Sequence, residues 1–511
     1  MLFTPVIGLE IHVQLNTKTK LMCRSLNVYA PDEPNQYISP FNTGQPGALP
    51  VLNKEAVKKA IRFGVAVGGQ IPEYIRFDRK NYFYPDLPAG YQITQYFHPI
   101  VQGGSLSFYL EDRKTGQLVE KTVHFHRAHL ETDAAKLLHL NGKTMVDFNR
   151  SGAPLIEIVT EPEIRSSEEA IAFVNELQLL VRRLGISDGD MEKGQIRFDC
   201  NISLQTEEQK QQNQLPPYKV EVKNINSVRA LGRAIEFEIQ RQTKILQAGQ
   251  LPSQETRGWR DDLNKSEPQR TKEEAHDYRY FPEPDLPIVQ IRPQDVPNLN
   301  DLPELPTKQR KRYLNMGLSL TIANIFVTQA NVGQFFDRVV QTLNNPDLSL
   351  TIANLITVNL LSLANKTGKT IEDLITPTNL ITTAQLFYDK KINNQGVQTI
   401  LEKLSENPTS SVEDIINTHN LWQITDDTTI AAFVDIVLEK HPQVVAQYQQ
   451  GKTQALDFLV GQTMKESRGK GNPQKIREIL IQKLQTPNSY NRRMFVNTSL
   501  QNHFVYCELA K

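Results

Sequence analysis

The sequence predicts an α+β protein, with a strand-rich, mainly antiparallel first part followed by two all-helical domains. Three observations carry this. The first 290 residues or so hold alternating, period-2 runs and few helices, with no strand–helix–strand alternation. Prolines at 293, 297, 303 and 306 then mark a linker. From about residue 307 the pattern is helical, and Pro408-Thr409-Ser410-Ser411 breaks it before a last helical block ending near Leu484.

The elements follow in order. Val6–Val13 alternates as a strand, with Glu10 and His12 on one face. Ser105–Leu110 reads as a strand, as does Thr122–Phe125 continuing towards Leu130. Ser166-Ser167-Glu168-Glu169 reads as a capping box opening a helix. Its apolar face is Ala170, Val174, Leu177, Val181 and Leu184, and Gly185 ends it. A second helix follows Ser227 and runs to about Gly249. The heptapeptide Leu-Ser-Leu-Thr-Ile-Ala-Asn occurs at 318–324 and 348–354, and two copies are too few for a solenoid. Residues 486–511 read as a poorly ordered tail.

At 511 residues the chain has room for two to four domains. Acidic and basic residues balance at 57 each, so any nucleic-acid footprint must be local. Cys23, Cys200 and Cys507 are scattered and offer neither a disulfide framework nor a CxxC metal pair, which suits a reducing compartment. The N-terminus lacks the charged and apolar regions of a signal peptide, and no apolar stretch approaches about 18 residues. A soluble, cytoplasmic protein with no membrane association is expected.

Four sets of residues point to chemistry. Residues 77–96 place six aromatics among Asp78, Arg79, Lys80, Asn81, Asp86 and Gln92, on a backbone made irregular by Pro85, Pro88 and Gly90. Residues 276–285, from His276 to Asp285, have the same character. Aromatic faces beside fixed cations suit a planar base or a phosphate, and the two segments are expected to line one pocket. The competing interpretation is a surface loop that buries tyrosines. A second set holds carboxylates and imidazoles. Glu10 and His12 share a face, as do His129, Glu131 and Asp133, while Glu157 stands inside the apolar run Leu155–Val159. A charge there is costly unless it is paired or binds a metal. Oxygen donors with one imidazole suit Mg²⁺ or Mn²⁺ better than zinc. The third set is Arg197, Asp199 and Asn201 on one strand face, with Lys223, Asn224, Asn226 and Ser227 leading into a helix, either an anion site or simple capping. Last, residues 451–490 carry seven Lys or Arg against three Asp or Glu, including Lys465, Arg468, Lys470 and Lys475 around a glycine turn. That suits contact with a phosphate backbone, or an ordinary solvated connection. Neither a GxxxxGK[ST] phosphate loop, a GxGxxG after a strand nor a G-x-S-x-G elbow occurs.

These segments together resemble the B subunit of the bacterial glutamyl/aspartyl-tRNA amidotransferases. The matching stretches are VIGLEIHVQL, PGALPVLNKEAV, FDRKNYFYPDLPAGYQI, VDFNRSGAPLIEIVTEPEI, MEKGQIRFDCNISL, VKNINSVRALGRAIEFEI, QETRGW and HDYRYFPEPDLP, with FLVGQTMKESRGKGNP near the C-terminus. The resemblance implies a cradle (kinase) domain over residues 1–293, a helical domain over 294–406, a YqeY-like tRNA-binding domain over 407–486 and a disordered extension over 487–511. It implies an ATP-dependent ligase. The side-chain carboxylate of glutamate on tRNA-Gln, or of aspartate on tRNA-Asn, is phosphorylated and then amidated with ammonia. The ammonia comes from a partner amidase (glutaminase), the A subunit, which the small C subunit clamps in place. The resemblance further implies Glu10, His12, Glu131 and Glu157 as the Mg²⁺ region, with Glu10, His12 and Glu157 catalytic. Lys80, Tyr82, Asn201, Lys223 and Arg279 are implied for the nucleotide and acyl-phosphate pocket, and Lys465, Arg468, Lys470 and Lys475 for tRNA.

The chain departs from the family pattern in two places. The family's His-x-Glu-Glu-Asp-Ala-Gly-Lys is here His129-Leu130-Glu131-Thr132-Asp133-Ala134-Ala135-Lys136. Thr132 replaces a glutamate associated with the metal, so a weakened Mg²⁺ site is expected. Of a four-cysteine zinc loop only Cys23 remains, with Ser39 and Asn42 where a CxxC pair would lie, so no zinc is expected. Two other functions compete with the kinase: a non-catalytic tRNA-binding scaffold with a decayed metal site, which Thr132 favours, and a metal-dependent hydrolase, which leaves the aromatic segments unexplained.

Overall fold

Leu9, Ile11 and Val13 are fully buried in β1 (Thr4–Gln14), while Glu10 and His12 between them are half-buried. This two-residue period organises the first unit, because β1 lies inside a nine-stranded sheet and separates an apolar face from a polar one. The computed structural model describes residues 3–29, 31–112, 115–271, 277–343 and 345–485. The chain divides into two units, Met1–Lys311 and Arg312–Lys511.

In the first unit, β1 is followed by α1 (Lys54–Ala66), β2 (Tyr74–Ile75), β3 (Asp78–Asn81), β4 (Tyr91–Thr94), β5 (Val101–Gln102), β6 (Ser105–Glu111) and β7 (Leu118–Thr132). Next come β8 (Lys136–Leu140), β9 (Lys143–Asp147), β10 (Pro154–Thr160), α2 (Ser167–Arg183), β11 (Ile196–Gln205), α3 (Glu207–Gln211), β12 (Val220–Ile225) and α4 (Val228–Gln247). The series closes with β13 (Glu255–Arg260), β14 (Lys265–Thr271), β15 (Phe281–Pro282) and β16 (Val289–Gln290), and α5 (Pro306–Asn315) spans the division between the units. The large sheet runs β14-β13-β12-β11-β1-β10-β7-β5, with β6 on the outer half of β7. All its pairings are antiparallel except β12 with β13.

The apolar face is covered by helices. Phe173, Val174, Leu177 and Val181 of α2 and Leu231, Ala234 and Ile235 of α4 join Ile11, Ile158, Phe198 and Cys200 in one core. Ser166 caps α2 by accepting the Glu169 N–H, as expected. The return arm of the expected capping box is different: Glu169 accepts the N–H of Arg165, one residue earlier. Ser227 caps α4 by accepting the Ala230 N–H at 3.0 Å. A bulge in β7 faces the Val159–Thr160 step of β10, leaving His126 unmatched between Arg127 and Phe125. Residue parity reverses there. Val123 and Phe125 enter the core on one side of the bulge, Ala128 and Leu130 on the other.

The second unit is helical, as expected after the proline-rich segment. Its helices are α6 (Leu320–Thr328), α7 (Ala330–Gln341), α8 (Leu348–Asn354), α9 (Leu361–Thr367), α10 (Ile371–Leu374), α11 (Pro377–Tyr388), α12 (Asn394–Glu406), α13 (Val412–His419), α14 (Asp427–Lys440), α15 (Pro442–Gln449), α16 (Gln454–Glu466) and α17 (Pro473–Gln485). The repeated heptapeptide plays two roles. Ser319 caps α6, whereas in the second copy Leu348 and Ser349 already lie inside α8. A π-helical turn over Leu355–Leu360 joins α8 to α9. Leu348–Thr367 is long and apolar enough by composition to cross a membrane, at mean hydropathy 1.4, which corrects the expectation that no segment approaches that length. Within it Ile352, Ala353, Ile356 and Leu360 are buried, while Leu350 and Val358 are exposed. Ile430, Val434, Leu459, Ile476 and Leu480 of α14, α16 and α17 form a separate apolar cluster. The expected tail at 487–511 lies outside the described residues, as does Cys507.

Candidate functional site

Antiparallel register sets four polar side chains in one row across the sheet. His129 of β7 pairs with Glu157 of β10, Glu157 with His12 of β1, and His12 with Arg197 of β11. Glu131, two residues along from His129, leans into the same row. His12 Nε2 lies 3.2 Å from Glu157 Oε2 and 3.5 Å from Glu131 Oε1. His129 Nε2 lies 3.5 Å from Glu157 Oε2. Donor atoms of His12, Glu131 and Glu157 all fall within 4.8 Å of one another, close enough to share one cation.

The electrostatics separate these groups. Burial lowers His129 to about 4, which keeps its ring neutral. Burial also opposes charge on His12, but the hydrogen bond to Glu157 and the charges of Glu157 and Glu131 prevail and raise it to about 9. Glu131 is raised to about 7 by burial and by the neighbouring Glu157 charge. Burial would raise Glu157 as well, yet His129 and the His12 hydrogen bond hold it below the usual carboxylate range. Two carboxylates and an imidazole held this closely suit a divalent cation, whose charge would relieve the repulsion that raises Glu131.

Glu10 belongs to a neighbouring group rather than to the triad. Its carboxylate meets those of Asp199 and Glu221 within 4.8 Å, and Asn201 Nδ2 donates to Glu10 Oε1 at 3.1 Å. Lys223 Nζ lies 2.8 Å from Asp199 Oδ2 and 3.1 Å from Glu221 Oε1. Burial and the charges of Glu157 and Glu221 hold Glu10 above its ordinary value. Sequence reasoning assigned no role to Glu221, although its i, i+2 spacing from Lys223 places both on the polar face. Asp199 was seen on that face but not assigned to a cation.

The two aromatic segments come together, as expected. β15 pairs with β3, and the Asn81 N–H donates to the Tyr278 carbonyl at 2.9 Å. Tyr280 stacks on Tyr96 at 4.0 Å, and Tyr82 meets Tyr278 edge-on at 6.2 Å. Lys80 Nζ stands 4.8 Å from the Tyr278 ring centre. Burial disfavours the Lys80 charge, but Glu131, Tyr280 and Glu157 hold it firmly protonated. Lys80 therefore joins the aromatic arm to the acidic triad. Arg279 is exposed with φ of 43°, and its N–H donates to Asp277. Among the described residues no ion pair brings its side chain to the carboxylates. His276 lies outside the described residues.

Thr132 is buried on the opposite parity from Glu131. Its Oγ1 accepts the Ile93 N–H at 3.3 Å, so it faces the backbone of β4 rather than the triad. Asp133 is not among the triad donors and pairs instead with Arg197, at the far end of the row, at 2.7 Å. Ala135 has no left-handed backbone, so the glycine of the family pattern is not required there. At the N-terminal loop, Cys23 Sγ and Ser39 Oγ lie 3.2 and 2.9 Å from Asn42 Oδ1, with the buried Lys20 Nζ 3.5 Å from the same oxygen. This set offers one thiol, which does not fit a four-thiolate zinc site.

In the second unit, Arg468 and Gly469 are both left-handed in the turn between α16 and α17. Lys465 and Arg468 are exposed and line a cleft with Lys440, His441 and Gln462. Lys470 is half-buried in the same turn, and its carbonyl accepts the Ile424 N–H. Lys475 is already engaged, with Nζ 2.8 Å from Asp427 Oδ1 and 2.7 Å from the Thr425 carbonyl.

Comparisons with known proteins give the family. The GatB/GatE catalytic domain family matches residues 5–296, and the GatB domain family matches residues 334–484. The B subunit of the aspartyl/glutamyl-tRNA(Asn/Gln) amidotransferase of Coxiella burnetii strain CbuG_Q212 is 42% identical over 491 residues, covering 95% of this chain and all of that one. The protein of the same name from Campylobacter hominis is 40% identical over 488 residues, covering 94% of this chain and all of that one. Among solved structures, the tRNA-binding domain of the Saccharomyces cerevisiae glutaminyl-tRNA synthetase covers 36% of this chain with 8% identity and a TM-score of 0.24, too low to bear on the fold. With both family domains in sequence order and relatives aligned over nearly their whole length, the chain belongs to the family of aspartyl/glutamyl-tRNA(Asn/Gln) amidotransferase B subunits.

Proposed function

We propose that this chain is the kinase and transamidase subunit of a glutamine-dependent tRNA amidotransferase. It phosphorylates the side-chain carboxylate of glutamate on tRNA-Gln, aspartate on tRNA-Asn, or both, with ATP, and the acyl phosphate is then displaced by ammonia. The observation that carries this reading is the juxtaposition of the His12, Glu131 and Glu157 donors with Lys80 on the aromatic arm. A carboxylate becomes a good electrophile only with a good leaving group, and joining it to ATP brings two anions together. His12, Glu131 and Glu157 hold Mg²⁺, and Glu10 with Asp199 and Glu221 forms an adjoining acidic group that can hold a second cation. Bound there, Mg²⁺ neutralises phosphate charge. Lys80 supplies a fixed positive charge, Tyr82 and Tyr278 give the arm its aromatic wall, and Asn201 orients Glu10. Lys223 steadies Asp199 and Glu221, and Arg279 reaches the nucleotide from the rim.

Ammonia comes from the amidase (glutaminase) or A subunit, with the small C subunit completing a cytoplasmic assembly. The separate apolar cluster of α14, α16 and α17 supports residues 407–486 as a tRNA-binding domain after a helical domain at 294–406. Lys465, Arg468 and Lys470 contact phosphates, and Lys475 holds the turn in place. The single thiol at Cys23 supports a loop without structural zinc. The scaffold reading loses its motive, because Thr132 faces the Ile93 backbone.

The test is a single-turnover assay of the assembled complex with glutamyl-tRNA-Gln and γ-labelled ATP. Glutamyl phosphate should accumulate when ammonia is withheld and vanish in Glu157→Gln. Undiminished phosphate transfer in that variant would refute the assignment.

A further inference from the structure

The outer half of β7 carries two imidazoles outside the central row. His124 and His126 are exposed, at 59% and 63% of their side-chain surface, while Phe125 between them enters the core. The bulge at His126 reverses parity, so both rings leave the sheet on the face that also bears His129 and Glu131. Roughly 10 Å of strand separates His126 from His129.

Each ring is held from behind by a carboxylate. His124 Nδ1 lies 2.9 Å from Glu163 Oε2, and the same oxygen accepts the His124 backbone N–H at 2.9 Å. His126 Nδ1 lies 3.1 Å from Glu161 Oε1. The chain after β10 sets these carboxylates in place: the Glu161 N–H donates to the His124 carbonyl, and the Glu163 N–H to that of Glu161, both at 2.9 Å. A carboxylate at Nδ1 keeps the proton on that nitrogen and leaves the Nε2 lone pair outward, the arrangement that orients histidine as a metal ligand. Among the described residues neither Nε2 has a hydrogen-bond or ion-pair partner. Imidazoles two residues apart on a strand stand about 7 Å apart at Cα, and exposed rings can tilt towards one ion.

We propose that His124 and His126 form a separate metal site, binding one borderline first-row divalent cation through both Nε2 atoms, with Glu161 and Glu163 as orienting groups and water filling the remaining positions. The donors select Cu²⁺, Ni²⁺ or Zn²⁺ over Mg²⁺, because imidazole suits the softer ions. The triad also offers the His12 imidazole, so the two sites are told apart by variants rather than by metal.

Calorimetric titration of the metal-stripped full chain with Ni²⁺, in excess Mg²⁺, tests this. One Ni²⁺ site that depends on His124 and His126 is expected, apart from any at the triad. It should weaken at least tenfold in His124→Gln and in His126→Gln, and about 10–100-fold in the Glu161→Gln, Glu163→Gln double variant. Replacing the exposed His139, which pairs with Thr144, should leave it unchanged. Electron paramagnetic resonance of bound Cu²⁺ should show two nitrogen ligands in the parent and one in each single histidine variant. An unaltered Ni²⁺ isotherm in the double histidine variant, or a nitrogen count that does not fall, would overturn the proposal and leave two ordinary surface ion pairs.

Discussion

Arg79 and Glu283 close a two-bonded ion pair, at 2.7 and 2.8 Å, that clamps the 278–283 arm onto β3. Glu283 is buried, and the guanidinium also stacks over Tyr91 at 4.1 Å. Lys80 is the next residue on the strand, so this pair positions the cation that faces the acidic triad. Removing one partner of a buried pair costs about 3–5 kcal/mol, because the other charge is left uncompensated. Glu283→Gln should lower the melting temperature and raise the KM for ATP more than it lowers kcat. If kcat falls alone, the clamp does not act through the arm.

Glu157→Gln should reduce phosphate transfer by about a hundredfold or more, the scale of losing one electrostatic contact to a reacting group. Affinity for tRNA should stay within a few-fold, because the basic turn lies in the other unit. Filter binding beside the single-turnover assay measures both.

Thr132→Glu tests the parity argument. A carboxylate would enter a buried site against the Ile93 backbone, at a cost of several kcal/mol. The variant should unfold at lower denaturant, and its Mg²⁺ midpoint for kinase activity should not fall. A lower midpoint would place this position at the metal after all.

Lys20 predicts a pH dependence. It is fully buried, and burial lowers its pKa from 10.5 to about 8. Between those values the unfolded chain binds more protons than the folded one, so this residue makes stability rise with pH from about 8 to 10.5. The contribution reaches about 3 kcal/mol across the window. Lys20→Met should flatten the rise in denaturation midpoints, and an unaltered slope would show that the ammonium is better solvated than its burial implies.

For the basic turn, Lys465→Ala with Arg468→Ala should reduce the slope of log affinity against log salt by about two, near 0.9 for each phosphate no longer neutralised. Lys475→Ala should leave that slope alone and destabilise α17, because its ammonium already holds Asp427 and the Thr425 carbonyl.

The polar face of β1 was legible in the sequence, because a two-residue period needs no partner to be read, and Glu10 and His12 share that period. The burial of Glu157 was legible from its isoleucine neighbours, though not its pairing with both His12 and His129. That pairing depends on strand order, which brings residues from 12 to 157 into one row and which no local pattern encodes. The same limit applies to Thr132. The match to the family pattern suggested a ligand, but the parity of β7 turns its hydroxyl to Ile93. Lys475 was read as a free cation because Asp427 is 48 residues distant. The bulge opposite Val159–Thr160 left no trace in the alternation from Thr122 to Leu130.

Because β1 holds core residues and site residues at alternate positions, its length is under a constraint that its composition is not. Substitutions can tune Glu10 or His12 one at a time. A single inserted or deleted residue between Val6 and Val13 would send the carboxylate and imidazole into the core and Leu9 and Ile11 out of it, disarming and unfolding the protein in one event. Over evolutionary time this strand is therefore expected to change its letters but not their number, and length variation should collect in connections such as Asn141–Gly142, where the turn is left-handed and exposed.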